Sequence, residues 1–396
     1  MEKSKPQFPL QEIQKALTAE GVDGWLLYDF RGSNVVARSI LQLSDHIATR
    51  RLYYFIPANG DPVRIVHAIE AGNLDHLPGR KIIFRSWQDL HNALKDALKK
   101  SSRIAMEYSP ENDIPYISLI DAGTIEMVRS TGVEIVSSGD LVQMFESKWS
   151  DEQRESHFEA ARLVNMVKDK GFEFIGDALR KGKSIGEYDV QQYMWDLFMK
   201  NNLIADHPMI VAVNANASNP HYTPDESHSS PIHEGDLVLI DIWAKLNERG
   251  TIYGDITWMG FAGKEVPARM KEIFNIVKDA QQASFKLIES NFRQGKTTFG
   301  WEADDAARNV IASKGYGDYY LHRTGHNIGQ QVHGNGANLD NLETRDRRRL
   351  IMGTGFSIEP GIYLKDFGVR SEIDVYIGEN GPVITSPHQT EILTLL

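Results

Sequence analysis

The sequence contains no cysteine, which excludes disulfide bonds, thiolate nucleophiles and cysteine-ligated zinc. It also lacks long apolar runs. The N-terminal residues Met1 to Pro6 do not resemble the hydrophobic part of a secretory signal, and no stretch is long enough to cross a bilayer. These absences predict a cytoplasmic protein that has no membrane partner.

Basic residues are outnumbered by acidic ones, 43 to 54, and the formal net charge is −11. A surface of this sign repels phosphate backbones, which argues against nucleic acid as a partner. Hydrophobic residues make up 41% of the chain, an ordinary share for a globular protein. The length of 396 residues exceeds that of one ordinary core and therefore predicts two domains.

The coarse periodicity separates the chain into two parts. Helical and strand patterns alternate over about residues 10–147, including an amphipathic helix at 86–100. This alternation predicts an N-terminal α/β domain with a parallel or mixed sheet. A long proline-free helical pattern then begins at Ser150, with acids in its first turn. We therefore place the domain boundary there, giving domains 1–150 and 151–396.

Two carboxylates lie on neighbouring strand patterns of the second domain. Asp241 ends the apolar run Asp236 to Asp241, and Asp255 lies in the next run, Tyr253 to Thr257. The polar segment between them, Lys245 to Gly250, is typical of a turn. The two runs therefore predict a β-hairpin on which Asp241 and Asp255 can face each other.

Three further apolar segments each carry an imidazole or a carboxylate. They are Gly325 to Gly329 with His326, Ser357 to Tyr363 with Glu359, and Val369 to Val375 with Glu372. Each pattern by itself is weak evidence for a functional site, because a single buried carboxylate is costly and is normally stabilised by hydrogen-bonding partners. Four carboxylates brought together would repel one another, and metal cations remove that conflict. The order Asp, Asp, His, Glu, Glu within one domain therefore predicts a metal centre.

That order resembles the pita-bread metallopeptidase family, which includes methionine aminopeptidase, prolidase and aminopeptidase P. The resemblance covers residues 151–396 and is most specific at Gly325 to Gly329 and at Glu359 to Tyr363. It implies an α+β pita-bread catalytic domain with a curved, mainly antiparallel sheet, preceded by an α/β domain of the creatinase/prolidase type.

The proline-specific branch of that family is the most similar part of it. His221, His333 and Arg370 match additional site residues of this branch. Prolidase and aminopeptidase P also resemble this chain in carrying an α/β domain in front, which in those relatives helps to form a dimer. The resemblance therefore implies a homodimeric metallo-exopeptidase that hydrolyses the N-terminal Xaa-Pro bond of peptides with proline in the second position.

The resemblance also implies a ligand set for two divalent cations. By the family pattern Asp255 and Glu372 bridge both ions, Asp241 chelates one, and His326 and Glu359 complete the other. A set that is rich in oxygen with one imidazole suits Mn²⁺, with Co²⁺, Fe²⁺ or Zn²⁺ as alternatives.

Catalytic roles follow from the same resemblance. Glu359 is expected to shuttle a proton from the attacking water to the leaving nitrogen. His221 and His333 are expected to hold the carbonyl oxygen and stabilise the oxyanion. Arg370 is expected to pair with Asp374 or to orient a substrate group.

Some positions depart from the family pattern and put the substrate preference in question. Trp258 stands where the family commonly has arginine, and Ile373 replaces a common acid. Tyr222 and Trp258 are candidates for a pocket that takes the proline ring, although packing in the core explains both residues equally well.

Other members of the fold provide the alternative interpretations. Creatinase resembles these enzymes but hydrolyses a small C–N substrate without metal, and other relatives are non-catalytic binding scaffolds. Retention of all five ligand positions argues against both, and the N-terminal domain argues against methionine aminopeptidase. The choice between a dipeptidase and an aminopeptidase acting on longer peptides stays open.

Overall fold

The computed structural model describes residues 8–43 and 48–396. Its contacts divide the chain into two compact units, Met1–Glu146 and Ser147–Leu396. Within the described ranges, no helix combines the length and the apolar character that a bilayer-spanning segment needs.

The first unit is built around one sheet with helices on both of its faces. Its strands are β1 Gly24–Asp29, β2 Leu52–Pro57, β3 Val63–His67, β4 Arg80–Phe84, β5 Arg103–Met106 and β6 Glu134–Ser137. Its helices are α1 Leu10–Ala19, α2 Val35–Ile40, α3 Trp87–Leu98, α4 Ala122–Arg129 and α5 Gly139–Val142. The strand order is β4-β3-β2-β1-β5-β6. β1 runs antiparallel to β2 and parallel to β5, so the sheet is mixed, as the alternating pattern allowed.

The sequence of β1 explains its central place in this sheet. All six of its residues are buried. Trp25 and Leu27 pack into one core cluster and Leu26 and Tyr28 into another, because successive side chains of a strand point to opposite faces. The amphipathic helix predicted at residues 86–100 is confirmed as α3, whose N-terminus is capped by the Ser86 side chain.

Long helices cover the sheets of the second unit. They are α6 Asp151–Arg180, α7 Glu187–Lys200, α8 Ala268–Arg293 and α9 Gly300–Ser313. α6 begins where the helical pattern predicted it. The Ser150 hydroxyl accepts the backbone N–H of Gln153, and the Gln153 side chain accepts that of Ser150.

The strands of the second unit form mainly antiparallel pairs. They are β7 Leu203–Ile204, β8 Ile210–Val213, β9 Leu237–Leu246, β10 Gly254–Phe261, β11 Asn327–Ile328, β12 Gly355–Ile358, β13 Gly361–Tyr363, β14 Gly368–Arg370, β15 Ile373–Gly378, β16 Gly381–Ile384 and β17 Leu393–Thr394. One sheet has the order β17-β10-β9-β7, with β8 also paired to β9. A second has the order β11-β12-β15-β16, and β13 pairs with β14. The parallel exception is the short pair β10 and β17.

The two faces of β9 differ in what they bury. Val238, Ile240 and Ile242 pack into the apolar cluster beneath α6 and α7. Leu237 and Leu239 point the other way, into the cluster that includes residues of α8 and α9. Asp241 continues this second face, since residues two apart in a strand share a side. A carboxylate therefore stands where the alternation would place another core residue.

Candidate metal centre

Asp241 and Asp255 lie on one face of the antiparallel β9–β10 hairpin, and the predicted hairpin is confirmed. In the ladder Asp241 is opposite Thr257, and Asp255 is opposite Trp243. The two acids are therefore diagonal neighbours on the same face rather than a directly opposed pair. The Asp255 backbone N–H donates to Asp374 Oδ2 at 2.9 Å, which connects this hairpin to β15.

His326 and Glu359 reach the same space from a different sheet. The His326 backbone N–H donates to Ser357 Oγ at 3.0 Å, just before β11 begins. The Glu359 backbone N–H donates to Thr324 O at 2.7 Å, which fixes the end of β12. His326 Nε2 then lies 3.5 Å from Asp255 Oδ2 and 3.4 Å from Glu359 Oε1.

Glu372 completes the group. Its backbone N–H donates to Thr257 O at 3.1 Å. The Thr257 hydroxyl lies 2.9 Å from Glu372 Oε2 and 3.0 Å from Asp241 Oδ1. One side-chain ligand atom each from Asp255, His326 and Glu372 all lie within 4.8 Å of one another. The fold thus brings the five predicted ligand residues into one cluster, in which Asp255, His326 and Glu372 are buried and Asp241 and Glu359 are partly exposed.

Burial and mutual repulsion oppose negative charge in this cluster. Burial, followed by repulsion from neighbouring carboxylates, raises the pKa of Asp255 and of Glu372 well above their ordinary values. Burial raises the pKa of Glu359 to about 7. Burial also lowers the pKa of His326, which favours the neutral imidazole that a metal requires.

The cluster fits divalent cations. Glu372 Oε1 is buried and has no hydrogen-bond partner in the part of the chain that the structure describes. A buried oxygen without a partner is costly, and a cation bound there would compensate for the lost hydration. Carboxylate oxygens with one imidazole form the donor set of a hard, oxygen-preferring metal.

Arg370 pairs with Asp241, so the predicted alternative of a pair with Asp374 is wrong. Its Nη2 donates to Asp241 Oδ2 at 2.5 Å, and its Nη1 donates to Tyr363 Oη at 3.0 Å. Its Nε donates to Thr257 Oγ1 at 3.2 Å. Arg370 belongs to β14 and Asp374 to β15, and these strands lie in different sheets, so the arginine reaches the β9 acid instead.

The two additional histidines differ in position. The His333 ring packs edge-on against His326, with ring centroids 4.3 Å apart. His221 lies on an exposed loop, where its backbone N–H donates to Asn219 Oδ1 at 3.1 Å. The roles expected for both histidines stay predictions.

The suggestion that Trp258 lines a pocket for the proline ring is wrong. It follows Thr257 in β10 and therefore points to the opposite face, into the cluster beneath α6 and α7. Lys168 Nζ lies 3.3 Å from the centroid of its ring, which is a cation–π contact. Tyr222 is half-buried, and its hydroxyl donates to Glu187 Oε2 at 2.6 Å.

Three residues of the centre were given no role from the sequence. Thr257 could have been found, because it lies two positions after Asp255 and shares its face. The same alternation places Trp243 beside Asp255, where its Nε1 donates to Asp206 at 2.8 Å. Tyr363 closes the Ser357 to Tyr363 segment, but only the pairing of β13 with β14 brings it to Arg370.

Comparison with known proteins identifies a family over the part of the chain that carries this cluster. The model of metallopeptidase family M24 matches residues 159–379. The Xaa-Pro dipeptidase of Lactobacillus delbrueckii subsp. lactis is 31% identical over 226 residues. That alignment covers 55% of this chain and 55% of the dipeptidase, so the match spans about half the length of this curated relative.

Solved structures extend the likeness to nearly the whole chain. A prolidase from Thermococcus sibiricus gives a TM-score of 0.63 at 22% identity, covering 99% of this chain and 100% of its own. An X-prolyl aminopeptidase from Caenorhabditis elegans, described as a cytosolic enzyme with a di-nuclear active site, gives a TM-score of 0.64 at 16% identity. That match covers 97% of this chain and 62% of the aminopeptidase. At these identities the likeness establishes the fold, and the predicted pita-bread architecture is confirmed.

Proposed function

We propose, because the chain belongs to metallopeptidase family M24, that it is a two-metal exopeptidase that hydrolyses the N-terminal Xaa-Pro bond of peptides. One observation carries this proposal: Asp241, Asp255, His326, Glu359 and Glu372 converge in one largely buried cluster, in which Glu372 Oε1 has no partner among the described residues. A protein that did not bind metal would gain nothing from crowding four acids in this way.

The five residues would hold the cations as the family pattern has it. Asp255 and Glu372 would contribute to holding both ions, Asp241 to one, and His326 and Glu359 to the other. Two divalent cations, Mn²⁺ in our proposal, would polarise the scissile carbonyl and acidify a water molecule. Co²⁺, Fe²⁺ and Zn²⁺ are the alternatives for the same donors.

Glu359 is the proposed proton carrier. Its carboxylate lies 3.4 Å from His326 Nε2 and forms a loose ion pair with Arg370, whose Nε is 3.9 Å from Glu359 Oε2. It would take a proton from the attacking water and deliver it to the proline nitrogen as the C–N bond breaks.

Three further residues would orient Asp241 or stabilise the oxyanion. Arg370 fixes the orientation of Asp241 through the contact between Nη2 and Oδ2. His333, packed on His326, and His221, on its exposed loop, would donate hydrogen bonds to the oxyanion that forms at the carbonyl. A donor placed where negative charge develops accelerates the reaction without tightening substrate binding equally.

The proposal includes the setting of the enzyme. Residues 1–150 would form a creatinase/prolidase-type domain that supports a homodimer, and residues 151–396 the catalytic domain. The protein would act in the cytoplasm on peptides, with neither nucleic acid nor membrane as a partner. Its acidic surface supports the exclusion of nucleic acid.

Hydrolysis after reconstitution with Mn²⁺ tests this function. An Xaa-Pro dipeptide and an Xaa-Pro-Xaa tripeptide are compared for the wild type and for Asp255→Ala. Asp279→Ala makes the same change at an exposed position of α8 and is the matched control. We expect cleavage that Asp255→Ala abolishes and Asp279→Ala preserves, and the preferred peptide identifies a dipeptidase or an aminopeptidase. Absence of cleavage together with absence of bound metal would favour a creatinase-like enzyme or a scaffold.

A further inference from the structure

Glu187 is a fully buried acid that the proposed chemistry does not use. It is the first residue of α7, where the partial positive charge of a helix N-terminus favours a carboxylate. Its backbone N–H donates to Ser230 O at 3.1 Å. The side chain therefore starts from a fixed backbone position.

The carboxylate of Glu187 accepts four hydrogen bonds. Oε1 accepts from the Val213 backbone N–H at 2.7 Å and from Asn216 Nδ2 at 2.9 Å. Oε2 accepts from the Tyr222 hydroxyl at 2.6 Å and from the Ser230 backbone N–H at 2.7 Å. Hydrogen bonds to an ionised acceptor are among the strong ones.

The four donors belong to a single stretch of chain, residues 213–230, which we call the histidine loop because it carries His221. The donors span it from its first residue to its last. Tyr222 follows His221 in the chain, and its backbone N–H donates to the Asn219 carbonyl at 3.0 Å. His221 itself is exposed, so the described packing does little to fix its place.

We propose that Glu187 is a positioning residue that fixes the histidine loop and, with it, the backbone that carries His221. This inference rests on the proposed function, because it gives His221 a place in the reaction. Glu187 acts through Tyr222 and the backbone of the loop and touches neither substrate nor metal ligand.

The arrangement requires a carboxylate rather than an amide. Each oxygen accepts one backbone N–H, Val213 on Oε1 and Ser230 on Oε2, and a backbone N–H cannot turn away. A glutamine at this position would place its NH₂ against one of them in either orientation. Glu187→Gln is therefore nearly equal in shape and still breaks the arrangement.

Steady-state kinetics on an Xaa-Pro peptide test the inference. We expect Glu187→Gln to lower kcat about tenfold with KM changed less than twofold, because an oxyanion donor acts in the transition state. In a His221→Ala background the same substitution should cause no further loss of kcat. Tyr222→Phe removes one of the four donors and should cause a smaller loss. Glu226→Gln, an exposed position of the same loop, is the control and should leave kcat unchanged.

An equal loss of kcat in the wild-type and His221→Ala backgrounds would overturn the inference, since Glu187 would then act independently of His221. Hydrogen–deuterium exchange gives a readout that needs no activity. We expect Glu187→Gln to raise exchange in residues 213–230 at least tenfold while β10 is unaffected. Unchanged exchange overturns the positioning role even if the enzyme is active. If the wild type is inactive but the loop exchanges faster in the variant, the proposed function fails and the positioning role stands.

Discussion

His157 provides a test of the interior of the second unit through its response to pH. The imidazole is buried. Its Nδ1 lies 2.6 Å from Tyr253 O, and its Nε2 lies 2.7 Å from the Thr385 hydroxyl. A carbonyl oxygen only accepts, so Nδ1 carries the proton and Nε2 accepts from Thr385. The neutral ring also packs on Trp149, with centroids 4.7 Å apart. Protonation would place a charge among these groups.

Burial lowers the pKa of His157 from 6.5 to about 4. Between these two pKa values the imidazole binds a proton in the unfolded chain but not in the folded chain. The free energy of unfolding therefore rises with pH. The neutral His157 therefore contributes its full stabilisation above pH 6.5, and this stabilisation is lost as the pH falls towards 4. A difference of this size corresponds to about 3 kcal/mol.

We expect His157→Gln to destabilise the metal-free protein by about 2 to 4 kcal/mol at pH 7, through lost hydrogen bonds and packing. Because glutamine does not titrate, this difference should shrink by about 3 kcal/mol by pH 4. Urea unfolding of the second unit, followed by circular dichroism with a chelator at each pH, measures it. His207→Gln makes the same chemical change at an exposed position and is the control. A difference between wild type and His157→Gln that does not vary with pH would refute the reasoning.

Three further substitutions test the site. Thr257→Val keeps the shape but removes the hydroxyl near Asp241 and Glu372, so Mn²⁺ affinity, measured by calorimetry, should fall about tenfold. Full affinity would mean that these acids need no support from the hydroxyl. Arg370→Lys replaces a planar fork that bonds Asp241 and Tyr363, and kcat/KM should fall about tenfold or more. An unchanged value would exclude an orienting role. Trp258→Phe should leave the preference for proline intact in competition assays, because the ring faces away from the centre. A changed preference would contradict that placement.

The local part of the site was predictable because strand periodicity dictates it. Alternation along β9 and β10 places Asp241, Asp255 and Thr257 on one face, whatever the rest of the chain does. The same rule, applied one residue further, places Trp258 on the other face. Strand alternation therefore predicts that Trp258 points away from the centre, even though it lies close to Asp255 in the sequence.

The partner of Arg370 was not predictable in the same way. Arg370, Glu372 and Asp374 are spaced two residues apart, so a single continuous strand would place all three on one side. The strand is interrupted between Arg370 and Ile373, and β14 and β15 join different sheets. The pairing of Arg370 with Asp241 depends on that interruption, which no local pattern in the sequence predicts.

The metal centre and the stability of the second unit are coupled by the same arrangement. On the face of β9 towards α6 and α7 the chain buries aliphatic side chains, whose burial stabilises the fold directly. On the opposite face Asp241 continues the row, and it is joined by Asp255, Glu359 and Glu372, whose pKa values are raised because burial disfavours their charged forms. Hydrogen bonds from Arg370 to Asp241 and from the Thr257 hydroxyl to Asp241 and Glu372 offset part of this cost, while Glu372 Oε1 has no partner in the described part of the chain. Cations that bind the folded cluster and not the unfolded chain must therefore stabilise the fold as they complete the site.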